Sequence, residues 1–144
     1  MKFSQQNPNG GYIIRSYTPG EITITFPAEE NSVATNSNQF GKARIVEDIL
    51  MKSAIITPQS VVRDWAPQSL VELTQADLEI FNSIQPEVII LGTGQTLQFP
   101  NLKWIAAFHE QGIGFEVMDT GAACRTYNIL MSDGRDVAAA LLIS

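Results

Sequence analysis

The chain has 144 residues, one His, and 9 Lys+Arg against 15 Asp+Glu, for a formal net charge of −6. That length suits one domain, 1–144, and an apolar share of 44% builds a core, so a wholly disordered chain is excluded. The acidic balance excludes the basic stripe that a nucleic-acid partner or an anionic membrane surface requires, and no apolar run is long enough to span a bilayer.

Residues 1–11, ending in Asn7-Pro8-Asn9-Gly10-Gly11, read as a flexible N-terminus. Residues 12–17 alternate, with Tyr12, Ile14 and Ser16 on one face. Residues 21–26 alternate again, with Ile22, Ile24 and Phe26 on one face and Glu21, Thr23 and Thr25 on the other. Pro19-Gly20 between them is a turn with a mechanism, since Pro presets φ and Gly accepts φ > 0. The two runs therefore predict an N-terminal β-hairpin. Residues 27–41, rich in Asn, predict a long polar surface loop. Residues 42–52 stay ambiguous: Ile45, Ile49 and Leu50 fit helical spacing, and Val46 and Met51 spoil the stripe. Residues 53–57 predict a short strand closed by Pro58.

Thr74, with Asp77 three positions on, is a capping-box start for a short helix that buries Leu78 and Phe81 and ends before Pro86. Residues 87–91 form a continuous apolar run after one acid, the pattern of a strand buried on both faces in a parallel sheet. Pro100 suits the first turn of the next helix, with Leu102, Ile105 and Ala106 on one face, Trp104 and Phe108 adjacent, and Gly112 as its stop. Residues 114–118 predict another strand, and Asp119-Thr120 caps a helix to about position 131. Asp133-Gly134 is a turn, and 137–143 is apolar enough for either a helix or a final strand. The middle thus alternates helix and strand. This predicts a central βαβ unit with right-handed crossovers, 87–91 lying parallel to 114–118. The fold class is α/β with a mixed sheet.

In parallel sheets ligands lie outside the carboxyl ends of the strands. Gly92-Thr93-Gly94 follows one predicted strand and Asp119-Thr120-Gly121 the other, so the two exits define a candidate rim for a small anion. The free N–H groups of the helix starting at Thr120 would favour an anion there, and Arg125 would add a forked cation. Asn128 lies further along the same helix. Gly92-Thr93-Gly94 lacks the third glycine of a dinucleotide fingerprint and the Lys of a phosphate loop, so no nucleotide cofactor is implied. One His and one Cys make no metal site, and Glu116 with Asp119 make no acid/base pair. No catalytic residue is assigned. Cys124 alone permits no intramolecular disulfide, which suits a reducing cytosol, and the start of the chain lacks the apolar run of a signal peptide.

Glu116-Val117-Met118-Asp119-Thr120, then Ala122-Ala123-Cys124-Arg125-Thr126-Tyr127-Asn128, then Gly134-Arg135 and the apolar 138–141, carry a family resemblance. The chain resembles a small α/β family of unknown biochemical activity that includes a mitochondrial complex I (NADH dehydrogenase) assembly factor and an adipogenesis-associated protein. The likeness spans about 53–143 and takes in Leu91-Gly92-Thr93-Gly94 and Gly112-Ile113. It implies a single three-layer domain with a central mixed β-sheet, and it turns 137–143 into a C-terminal strand. It brings no catalytic residues. Its shared positions are Gly92, Thr93, Gly94, Asp119, Thr120, Thr126, Asn128 and Arg135, and all but Thr126 join Arg125 as the candidate ligand-binding set. With no targeting extension, a cytoplasmic, bacterial-type member is expected. The leading functional expectation is a non-catalytic protein-interaction or assembly-factor-like domain with a protein partner and an exposed apolar patch near Trp65 or Trp104. The alternatives are a small-anion module on the two strand exits and an unrecognised enzyme using Asp119, Arg125 and Tyr127.

Overall fold

A computed structural model describes residues 11–28 and 44–144. The N-terminus expected over 1–11 lies almost entirely outside the described residues, as does most of the polar loop expected over 27–41.

Two sheets form. β1 (Ile13–Thr18), β2 (Glu21–Pro27) and β3 (Ile45–Leu50) make a three-stranded antiparallel sheet in that order. The predicted hairpin is its first half, and Gly20 holds φ +87° at the turn. β4 (Ala54–Ile56), β5 (Val61–Val62), β6 (Val88–Thr93), β7 (Gly114–Met118) and β8 (Val137–Leu142) make a mixed sheet in the order β5-β4-β8-β6-β7. β6 pairs parallel with β7, Val88 opposite Gly114, as the βαβ reading requires. β8 is the C-terminal strand implied by the family resemblance. It lies parallel on the other side of β6 and antiparallel to β4.

The large sheet is the middle of three layers. Along β8, Val137, Ala139 and Leu141 point to one core, and Ala138, Ala140 and Leu142 to the other. In β6, Val88 and Ile90 face the first core and Ile89 and Leu91 the second. Every residue of both strands is buried, which is why they read as unbroken apolar runs rather than alternating ones. The first core is closed by the small sheet and by α3 (Thr120–Ser132). The second is closed by α1 (Phe81–Ile84), α2 (Leu102–Glu110) and the segment around Trp65. The two long helices thus cover opposite faces of one sheet.

Local expectations needed correction at four places. Residues 45–50 are a strand. Ile45 and Ile49 stand exposed on the outer face of the small sheet, while Leu50 is buried. β1 carries a bulge between Ile14 and Ser16, so Tyr17, and not Ser16, sits opposite Ile22 and meets the core. One extra residue reverses every side chain beyond it. The helix expected after Thr74 is a 3₁₀ turn over Gln75–Leu78, followed by the single α-turn α1. Leu78 and Phe81 are buried as expected, and the Asp77 carboxylate accepts from the Thr74 N–H (2.8 Å) and hydroxyl (2.9 Å). In α2 the N-cap is Asn101, whose side chain accepts from the Lys103 N–H at 2.9 Å, and Pro100 lies one place outside. The buried stripe runs through Trp104, Ile105 and Phe108, leaving Leu102 and Ala106 exposed.

Gly92 marks the tightest approach between β6 and α3. A Cβ there would stand 2.9 Å from the Thr120 hydroxyl oxygen, 3.0 Å from its Cα and 3.1 Å from the Ala123 Cβ. Two of these atoms belong to fixed groups, so the helix must shift to admit a methyl. Gly92→Ala is expected to cost about 1–3 kcal/mol. That cost is read as a melting temperature lowered by several degrees at unchanged fold.

Candidate functional site

The predicted rim assembles. The exits of β6 and β7 lie side by side, and the first turn of α3 joins them. Thr120 N–H donates to the Gly94 carbonyl at 2.9 Å, and Gly94 N–H donates to the Thr120 hydroxyl oxygen at 2.8 Å. That hydroxyl donates in turn to the Leu142 carbonyl at 2.6 Å, and Thr120 is wholly buried. The Asp119 carboxylate accepts from Ala122 N–H at 2.9 Å, while the Asp119 carbonyl accepts from Ala123 N–H at 2.9 Å. The amides of 120, 122 and 123 are therefore engaged within the fold. On the β6 side, the Thr93 hydroxyl donates to the Thr96 carbonyl at 2.7 Å and accepts from Gln98 N–H at 3.1 Å. Five of the candidate residues, Gly92, Thr93, Gly94, Asp119 and Thr120, thus form a closed, hydrogen-bonded junction.

The other three are placed elsewhere. Asn128 ties α3 to the edge of β1: its Oδ1 accepts from Ile14 N–H at 3.0 Å, and its Nδ2 donates to the Ile14 carbonyl at 2.7 Å. Tyr127, fully buried, donates its hydroxyl to the Tyr12 carbonyl at 2.7 Å. Arg135 sits at the opposite end of the sheet, where its Nε pairs with Glu87 at 2.8 Å. Both partners are near half exposed, so the pair adds little stability. Arg125 projects from α3 into a cleft of about 350 Å³ between that helix and β1. Arg15, Ser16, Tyr17, Gly121 and Cys124 line the same cleft. The sequence carried no signal for Arg15, Ser16 or Tyr17, because a bulge leaves no mark in an alternation of this length.

Burial dominates the electrostatics here. It pushes the Cys124 thiol up to about 12; Arg125 opposes the rise and Asp119 adds to it. Burial also raises the Tyr17 phenol, with Cys124 and Asp119 contributing in the same sense, and it raises Tyr127 strongly. All three groups are neutral in ordinary buffers. The Tyr17 hydroxyl is buried and has no hydrogen-bond partner among the described residues.

A second surface feature lies beyond the rim. Leu97, Phe99 and Leu102 are 52%, 62% and 66% exposed. They flank the start of α2, on the segment that the Thr93 hydroxyl holds. Trp65 itself is buried and donates its indole N–H to the Asp77 carbonyl at 3.1 Å. Trp104 is partly buried against the second core. No described helix is long and apolar enough to cross a membrane, and no group of three or more metal-ligating side chains occurs among the described residues.

The fold and its closed rim define a three-layer α/β domain whose polar strand exits are spent on joining the central sheet to a helix. The chain belongs to the family described as "Protein of unknown function (DUF498/DUF598)", whose model matches residues 35–142. It is 33% identical over 90 residues to NADH dehydrogenase [ubiquinone] 1 alpha subcomplex assembly factor 3 of Mus musculus, covering 61% of this chain and 48% of that protein. The chain therefore spans about half the length of the curated relatives of this kind that it matches first. An NMR structure of a Xanthomonas campestris protein shares the fold with a TM-score of 0.70 at 34% identity, over 99% of this chain and 92% of that one. A crystal structure of a Bordetella parapertussis protein gives a TM-score of 0.71 at 28% identity, over 94% and 98%.

Two measurements check this reading of the site. Thr120→Val keeps the shape of the side chain and strands the Gly94 N–H and the Leu142 carbonyl, so a loss of about 2 kcal/mol or more is expected in chemical denaturation. The raised Cys124 value means that the unfolded chain, titrating near its ordinary value of 9.0, releases its proton first as the pH rises. Stability should therefore fall with pH between 9.0 and about 12, and the native thiol should resist a disulfide reagent at pH 8 until denaturant is added.

Proposed function

We propose that the chain is a protein-interaction domain of the assembly-factor type, docking through the apolar segment formed by Leu97, Phe99 and Leu102. The observation that carries this reading is exposure combined with fixation. Large apolar side chains left in water favour association. A loose loop would have to be ordered on binding, at a cost to affinity. This loop is already held by the two hydrogen bonds of the Thr93 hydroxyl and by the Asn101 cap. Its position beside Trp104 agrees with where the interaction reading expects an apolar patch. The curated relatives named as assembly factors of an NADH dehydrogenase subcomplex support the same class of role, and they favour a subunit of a respiratory complex as the partner.

A photoreactive amino acid placed at position 99 in growing cells tests the proposal, with position 79, exposed on the segment before α1, as the control. Discrete cross-linked adducts are expected from position 99 alone, and they should weaken markedly in a Leu97→Ser/Leu102→Ser background whose melting temperature is unchanged. Identical adducts from both positions, or none from position 99, would overturn it.

A further inference from the structure

We propose that the cleft between β1 and α3 binds a small molecule through its carboxylate, held by Arg15 and Arg125 with the Tyr17 hydroxyl as a third donor. This goes beyond the docking role, since the cleft is concave and polar and is lined by none of the three exposed apolar side chains.

The first argument is unspent charge. Arg63 and Arg135 are ion-paired, to Asp48 and Glu87. The side chains of Arg15 and Arg125 have no ion-pair or hydrogen-bond partner among the described residues, although the chain's net charge is −6. Two such guanidinium groups at one cleft run against the sign of the protein's net charge.

The second argument is geometric. Arg15 is the extra residue of the β1 bulge. Asn128 grips Ile14 just before it, the bulge turns Tyr17 to the core face, and both Arg15 and Tyr17 line the cleft beside α3. Bulges often re-aim a side chain toward a site in this way. Gly121 forms the floor: a Cβ built on it would stand 3.6 Å from Arg125 Nη1 and 3.7 Å from Cδ2 of Tyr17, so both groups converge over a bare backbone. The Tyr17 ring lines the cleft, and its hydroxyl is buried with no partner among the described residues, so it is a neutral donor left unspent. A buried polar atom without a partner costs stability, which an acceptor entering the cleft would restore. The amides at the start of α3 do not supply the site, since those of 120, 122 and 123 are already bonded.

The third argument selects the ligand class. Asp119 stands at the cleft's end, with Oδ1 3.4 Å from the same built Cβ and committed to its cap. Two guanidiniums and one carboxylate leave a single net positive charge, since the Cys124 thiol stays neutral. That balance matches one carboxylate better than a phosphate dianion, and the planar forks of arginine match a carboxylate in shape. A cleft of about 350 Å³ suits a small metabolite.

The test is an NMR titration of the ¹⁵N-labelled chain with sodium butyrate, a monocarboxylate, at constant ionic strength, with inorganic phosphate as the comparison. Saturable shifts are expected at the amides of Arg15, Ser16, Gly121 and Arg125. Arg15→Gln and Arg125→Gln should each weaken binding by about tenfold or more, and the melting temperature of the unliganded protein should not move. Tyr17→Phe should weaken binding while leaving the free protein as stable as before or more so, a combination that a purely structural tyrosine would not give. Shifts that never saturate or scatter over the surface, undiminished binding in Arg15→Gln, or phosphate saturating below butyrate would each overturn the proposal. None of these results bears on cross-linking at position 99.

Discussion

One buried hydroxyl joins the parts of this molecule. Thr120 Oγ1 accepts from the amide at the exit of β6 and donates to the carbonyl at the exit of β8. Its own amide closes the ring by bonding Gly94. Backbone groups at the ends of central strands are buried and must find partners. Here a single side chain at the start of a helix supplies them, which fixes where α3 begins and how close it lies to the sheet. Gly92 is the consequence of that closeness, because only a residue without a Cβ fits beneath the turn.

The far part of the same helix performs a second joining. Tyr127 and Asn128 reach across to the carbonyls of Tyr12 and Ile14 and to the Ile14 amide, so α3 satisfies part of the edge of β1. An open strand edge is a hazard for association, and covering it with helix side chains removes part of that hazard. The small sheet is thereby locked onto the first core, and the Gly20 amide bonding the Ile143 carbonyl pins the hairpin turn to the chain's end. The helix carrying the most family-specific residues thus joins the small sheet to the central one. Much of that signature is architecture: Asp119 caps, Thr120 bridges, and Tyr127 and Asn128 fasten the hairpin.

At the rim, the amides of 120, 122 and 123 and the hydroxyls of Thr93 and Thr120 are engaged within the fold. The Thr93 hydroxyl orders the loop that displays Leu97 and Phe99, and away from the junction the Asn128 grip on Ile14 sits next to the bulge that shapes the β1/α3 cleft. In both places a polar side chain fixes a surface that faces outward.

Local chemistry was enough, from the sequence, to place the hairpin, the parallel pair β6 and β7, the Asp119 cap and the stops at Gly112 and Gly134, because each rests on residue types acting within a few positions. The continuous apolar runs of β6 and β8 also announced strands buried on both faces, although the choice of strand for β8 needed the family resemblance. Contacts distant in the chain decided the rest. Residues 45–50 became a strand because β2 offered an edge to pair with, which outweighed the helical spacing of Ile45 and Ile49. The phase of α2 followed from a cap at Asn101 and from where Trp104 and Phe108 met the second core. The role of Asn128 and the aim of Arg15 and Tyr17 depended on a helix meeting a strand more than a hundred residues away. No periodicity within either segment encodes that meeting.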